Sequence, residues 1–330
     1  MTSLPDHGGG LSAAAKQWPA FRGEWLDLST GINPWSYPIP PFPQDIWTRL
    51  PDKNLDDALC EAAAAHYGAK GPTQILITPG SGAIIRALPL TRPPSRVAVL
   101  GPTYSEHASS WSAAGHTTRL VTSLTEAENA DVVVVVNPNN PDGRTLSPGV
   151  LTEFANTHPS CLLVVDQAFA DVDPILSIIP NRPDNCFVLA SFGKFFGLAG
   201  LRLGLAFGSS EVLAPISARL GPWPVSGPAL FVGACALKDE RWSDETRRNL
   251  SEQAHKLDET LLAAGLDIIG GTALFRLIRN SDAHTLWNDL GRTGILTRAF
   301  AYDTTWLRIG LPPDAKALKR LADSLTNRSK

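Results

Sequence analysis

Five valines in a row, residues 132–136, are followed at once by Asn-Pro-Asn-Asn-Pro-Asp-Gly. An apolar run without polar alternation reads as a strand buried on both faces, closed here by a turn-forming loop. The same texture recurs along the chain. "QILITPGSGAIIRAL" predicts a strand, a glycine turn and a helix, and "RVAVLGPTYSEHASSWSAAG" a strand, a loop and a helix. "CLLVVDQAF", "CFVLASFGKFFG" and "GLRLGLAFG" predict three more buried strands. Before them, "DDALCEAAAAHYG" is Ala-rich and ends in Gly, as a helix with its stop does. Strands buried on both faces mean a mainly parallel sheet covered by helices, with ligands at the carboxyl ends of its strands.

The pattern differs at the two ends of the chain. Residues 1–45 are rich in Gly, Pro and Trp, and "INPWSYPIPPFP" cannot be helical because each proline removes a backbone donor. This stretch reads as an N-terminal arm ordered over the surface, the alternative being a structureless linker. After "GPWPVSGPA" comes a long charged helix from about Asp244 to Ala264. Strand-like "FRLIRN" and "TWLRIG", a helix at 283–291 and a terminal helix from about Asp314 complete a smaller α+β unit. The expected divisions are an arm at 1–45, a large domain at 46–220 and a small C-terminal domain at 221–330.

Composition narrows the function classes. At 43% hydrophobic and 18% charged residues the chain is globular rather than disordered. A net charge of −3 without blocks of like charge argues against a nucleic-acid or anionic-membrane partner. Cys60, Cys161, Cys186 and Cys235 are far apart and show no metal-ligand spacing, which fits a reducing cytoplasm and no metal site. The start "MTSLPDHGGG" lacks a cationic n-region and an apolar h-region, so no signal peptide is expected. No apolar run approaches the ~20 residues of a membrane span.

Polar residues at strand ends carry the candidate chemistry. Gly80-Ser81-Gly82 stands between a strand and a helix, where backbone N–H groups can bind an anion; a purely structural turn is the alternative. Asp166 ends a buried strand and needs a cationic partner or strong donors, unless it serves as a helix cap. In "SFGKFFGLAGLRLG", Lys194 is set among Phe, Gly and Leu. Either its stem snorkels outward, or its amine is kept partly neutral for nucleophilic chemistry such as a Schiff base. Ser191 and Arg202 in the same stretch can both grip a phosphate.

Taken in order, "NPNNPDG", "DQAF" and "SFGKFFGLAGLRLG" resemble the fold-type-I pyridoxal 5'-phosphate enzymes of the aspartate aminotransferase superfamily. The resemblance covers essentially the whole chain and is nearest the branch that holds histidinol-phosphate aminotransferases and threonine-phosphate decarboxylases. It implies an α/β large domain with a seven-stranded, mainly parallel sheet, a smaller α+β domain and a homodimer. It further implies that Lys194 binds the cofactor covalently and shuttles protons, and that Asp166 pairs with the protonated ring nitrogen. Asn140 would donate to the ring oxygen and Tyr104 would stack on the ring. Gly80, Ser81, Gly82, Ser191 and Arg202 would hold the cofactor phosphate. Arg308, in "WLRIG", matches the arginine that clamps the substrate carboxylate, and Asn33, in "STGINP", an arm residue that closes over the substrate.

Two positions depart from the aminotransferase pattern. Phe169 stands where a tyrosine often hydrogen-bonds the ring oxygen, and Leu50 where a tyrosine reaches the neighbouring subunit's cofactor phosphate. The cofactor does not choose the reaction, since the bond at Cα that lies perpendicular to the ring is the one that breaks. Here the arm helps: "DHGGGLSAAA" with "LDLSTGINP" is similar to the decarboxylase segment, although Gly10 is often Asn there. That similarity implies decarboxylation of L-threonine O-3-phosphate to (R)-1-amino-2-propanol O-2-phosphate in cobalamin biosynthesis, with His7 and Arg298 as contacts to the substrate phosphate. Histidinol-phosphate transamination with 2-oxoglutarate is the alternative.

Overall fold

A computed structural model describes residues 7–326. The contacts divide the chain into two compact units, a larger one of residues 36–140 and 144–243 and a smaller one holding the arm up to residue 35, residues 141–143 and everything from 244. The expected divisions were 45/46 and 220/221. The contacts place the divisions at 35/36 and 243/244; the helix Gly227–Lys238 falls in the larger unit because it is apolar nearly all round and packs on the helix Lys53–Tyr67. A side chain at Gly233 would collide with Leu203, 2.4 Å from the position of its Cβ.

The larger unit is built on seven strands: β1 (Ile75–Thr78), β2 (Arg96–Leu100), β3 (Thr117–Val121), β4 (Val132–Val136), β5 (Leu162–Asp166), β6 (Cys186–Ser191) and β7 (Gly204–Phe207). Their order across the sheet is β1-β7-β6-β5-β4-β2-β3. All neighbours from β3 to β6 pair in parallel, and β7 alone runs against both of its neighbours. The central strands β4, β5 and β6 are buried at every residue, as their unbroken apolar runs require. One face packs Val132, Val134, Val164, Phe187 and Leu189 against Ile84, Trp111 and Ile216 of the covering helices.

Register sets the functional rim. Val136 pairs with Asp166 and Asp166 with Leu189, so β4, β5 and β6 end close together. Ser191 and Thr78 both pair with Gly204. Because β7 is antiparallel, its amino end, preceded by Arg202, reaches the rim formed by the carboxyl ends of the other strands.

Several elements are absent from the pattern-based reading, among them the helices Ser210–Leu220 and Gly227–Lys238, the strand Asp267–Thr272 and the three that follow. Strand β3, "TTRLV", is an edge strand with most of its side chains exposed, and so lacks an apolar run. The helix Pro148–Thr157 starts at Ser147, whose hydroxyl accepts the Val150 N–H. The short helix Leu11–Gln17 lies in the arm.

In the smaller unit an antiparallel sheet has the order Arg298–Ala299, Trp306–Gly310, Phe275–Arg279, Asp267–Thr272. Helices Ala283–Arg292 and Ala315–Thr326 belong to it. From residue 7 onward the arm is held against its own unit by aromatic contacts. Trp18 packs edge-on to Trp287 at 4.9 Å and donates its indole N–H to Asn288 at 2.8 Å. Among the described residues, no helix is long and apolar enough to cross a membrane and no cluster of metal-ligating side chains occurs.

Phe187 lies in the middle of this core and is fully buried. Phe187→Ala is expected to destabilise the larger unit by about 3–5 kcal/mol, read as a lowered denaturant midpoint in equilibrium unfolding. An unchanged midpoint would contradict the packing described.

Candidate active site

The rim gathers the large-domain candidates. Asp166 is buried, and its carboxylate is held by two donors. His107 Nε2 is 2.9 Å from Oδ2, and the Ala168 N–H donates to Oδ1 at 2.9 Å. His107 is 1% exposed, so the pair is shut off from water. Tyr104 immediately precedes the helix Ser105–Ala113, which carries His107 one turn later. Its ring lies 6.2 Å from the imidazole. Burial first, then the Glu106 and Asp166 carboxylates, push the Tyr104 phenol above its ordinary pKa, so it stays protonated. The loop before Asn140 is tied down through Asn139, which accepts from the Thr103 hydroxyl at 2.6 Å and donates to the Pro102 carbonyl at 2.9 Å.

The lysine turn follows β6. Phe192, Phe195 and Phe196 are fully buried, whereas Lys194 is half-buried. Its Nζ lies 5.4 Å from the centre of the Phe169 ring. Ser191 Oγ accepts the Gly193 N–H at 3.3 Å. Tyr37 donates its backbone N–H to the Phe196 carbonyl at 2.9 Å, bracing the turn from outside. Arg202 is left-handed at φ 55° and donates to the Ala199 carbonyl at 3.0 Å.

The glycine turn and Arg202 form one cradle. At Gly80 (φ 83°) a Cβ would stand 3.0 Å from the Arg202 guanidinium, and at Gly204 a Cβ would stand 2.5 Å from the Ser81 nitrogen. Apart from its chain neighbours and its own helix backbone, no atom of the described residues lies within 4 Å of a Cβ position on Gly82. A guanidinium, first-turn N–H groups and the Ser191 hydroxyl at one rim suit a phosphate. A buried carboxylate with a histidine behind it suits a protonated pyridine nitrogen, and Tyr104 supplies an aromatic face. The residues present therefore fit pyridoxal phosphate, and Lys194 is the candidate amine.

The substrate candidates belong to the smaller unit. Arg308, 6% exposed, donates to the Ser29 carbonyl of the arm at 2.8 Å and lies 5.0 Å from the Phe275 ring. Burial and the neighbouring Arg298 push its pKa down to about 10, which leaves it a cation at neutral pH. Arg298 is its partner across the sheet. Asn33 is buried, and its Oδ1 accepts the Trp35 N–H at 2.9 Å, closing a local turn. His7 is exposed on the arm, near the point where the Gly9 N–H donates to the Ser29 hydroxyl at 2.7 Å. Of the two departures, Phe169 is buried beside Lys194, whereas Leu50 is 66% exposed.

His107 is missing from the sequence-based candidates. Two signals point to it: the buried Asp166 requires a partner, and "TYSEH" places a histidine three residues beyond Tyr104 at a helix start.

The fold and this rim define a pyridoxal-phosphate enzyme of fold type I. The model of the aminotransferase class I and II family matches residues 44–325, and the chain belongs to that family. It is similar to a threonine-phosphate decarboxylase of Sinorhizobium sp., 43% identical over 97% of both chains. A threonine-phosphate decarboxylase of Pseudomonas aeruginosa is likewise 43% identical over 97% of both. The histidinol-phosphate aminotransferase of Sinorhizobium meliloti, solved in complex with pyridoxal 5'-phosphate, shares the fold with a TM-score of 0.82 at 22% identity, over 99% of this chain and 96% of that one.

His107→Ala removes one of the two donors that hold the Asp166 carboxylate. It is expected to cost about 1–3 kcal/mol in unfolding free energy and to weaken cofactor retention on dialysis. A variant as stable and as cofactor-retentive as the parent would rule out this role.

Proposed function

We propose that this chain decarboxylates L-threonine O-3-phosphate to (R)-1-amino-2-propanol O-2-phosphate with pyridoxal phosphate, within cobalamin biosynthesis. The observation that carries this reading is the full-length likeness to two threonine-phosphate decarboxylases. Phe169 supports it, because a ring without a hydroxyl occupies the position where aminotransferases often have a tyrosine.

Lys194 would hold the cofactor through its Nζ; Asp166, braced by His107, the ring nitrogen; and Asn140 the ring oxygen. Ser81, Gly82, Ser191 and Arg202 would hold its phosphate, and Gly80 the turn that presents them. When bound, the cofactor supplies an electron sink for the pair left at Cα. Arg308 would take the α-carboxylate through a two-pronged contact that orients the Cα–carboxylate bond. That bond breaks, its electron pair stays at Cα, carbon dioxide leaves and Cα takes up a proton, for which Lys194 Nζ is the proposed donor. Asn33 would cover the substrate, and His7 with Arg298 would contact its phosphate. The working form we infer is a cytoplasmic homodimer. Four free cysteines and the exposed Ile39, Trp47 and Leu50 of the larger unit support that inference.

Incubation with cofactor and L-threonine phosphate is expected to release carbon dioxide and aminopropanol phosphate without a keto-acid acceptor. Amino transfer from histidinol phosphate to 2-oxoglutarate in place of that product would overturn the reading. Lys194→Ala is expected to abolish turnover while still binding cofactor, because Asp166, Ser191 and Arg202 remain; normal turnover would remove Lys194 from the chemistry. Arg298→Ala should weaken phosphorylated substrates about tenfold or more and unphosphorylated threonine far less, as measured by inhibition constants. Equal losses would take Arg298 out of the phosphate contact.

A further inference from the structure

Three aromatic rings flank the paired arginines of the smaller unit. Phe300 and Tyr302 lie 5.3 Å apart, and Trp306 meets both nearly edge-on, at 6.5 and 6.2 Å. The Arg298 guanidinium sits 5.5 Å from the Phe300 ring. Trp306 opens the strand that carries Arg308, and Arg298 and Arg308 are partners across that strand pair. The cluster thus fixes Tyr302 beside both cations.

Tyr302 is 55% exposed, and none of the described residues hydrogen-bonds its hydroxyl. The charges that act on it most strongly are those of Arg298 and then Arg308, with Asp142 and Asp303 opposing more weakly. Two adjacent cations favour ionisation of a phenol. Loss of hydration outweighs them and raises the hydroxyl to about 12, so it remains an O–H donor through the neutral range. A carboxylate has two oxygens and is satisfied by one guanidinium fork, whereas a phosphate has three outer oxygens and takes further donors. A hydroxyl supplies such a donor without adding to the repulsion that already lowers Arg308.

We propose that Tyr302 is a specificity-determining residue that donates its phenolic hydrogen to the substrate phosphate beside Arg298, favouring phosphorylated amino acids over their unphosphorylated counterparts. This rests on the reading above, that the substrate carries a phosphate.

The test uses the holoenzyme, whose own cofactor occupies the other phosphate site. Tyr302→Phe keeps the ring that packs on Phe300 and Trp306 and removes only the hydroxyl. The expected result is a kcat/KM for L-threonine O-phosphate lowered about tenfold or more, chiefly through KM, with the inhibition constant of L-threonine unchanged. Inorganic phosphate, titrated by calorimetry, should bind the variant more weakly by a similar factor. Equal losses for threonine phosphate and threonine, unchanged phosphate binding, or no phosphate binding by the parent holoenzyme would each overturn the assignment. If the parent leaves threonine phosphate intact but binds inorganic phosphate with the expected dependence on Tyr302, the functional reading fails and the anion contact stands.

Discussion

Strands β4, β5 and β6 are buried along their whole length, and this constraint shapes the rest of the larger unit. A polar side chain in the middle of such a strand would lose its hydration without compensation, so chemistry is confined to the ends. Parallel pairing then places Asp166 beside the ends of β4 and β6. A carboxylate buried there is tolerable because His107 and the Ala168 N–H both bind it. The apolar sheet and the charged site are therefore one arrangement: the sheet excludes water, and exclusion of water gives each remaining hydrogen bond its weight.

The lysine turn obeys the same economy. Phe192, Phe195 and Phe196 fill the interior and leave Lys194 half-buried over Phe169. Arg202 holds a left-handed backbone that costs a non-glycine residue roughly 1 kcal/mol. That conformation leads the chain into β7 while the guanidinium lies along Gly80, where any side chain would crowd it. The glycines at 80 and 204 are thus required by close approach and not by flexibility alone.

In the smaller unit two cations are brought close together. Arg298 and Arg308 face each other across a strand pair, and burial of Arg308 makes their proximity more costly. An anion relieves both the repulsion and the lost hydration, which is why such a pair favours carboxylate or phosphate ligands. The arm contributes directly, since the Ser29 carbonyl accepts from Arg308 and the Leu28 carbonyl from the Gly310 N–H.

Much of this is legible in the residues themselves. The unbroken valine run, the Asp ending "LLVVD" and the lysine among phenylalanines determine buried strands and name Asp166 and Lys194, because each is a local conflict between burial and polarity. Edge strand β3 is not legible, since a half-solvated edge needs no apolar pattern. The helix Gly227–Lys238 is assigned to the larger unit only by the surface it covers. His107 and Tyr302 acquire meaning only when distant segments meet: 59 residues separate His107 from Asp166. The antiparallel course of β7, which brings Arg202 to the glycine turn more than a hundred residues earlier, is likewise a matter of pairing. Sequence determines which groups must find partners. Tertiary structure alone determines which partners they find, because hydrogen bonds and charge pairs act over a few ångströms of space and not along the chain.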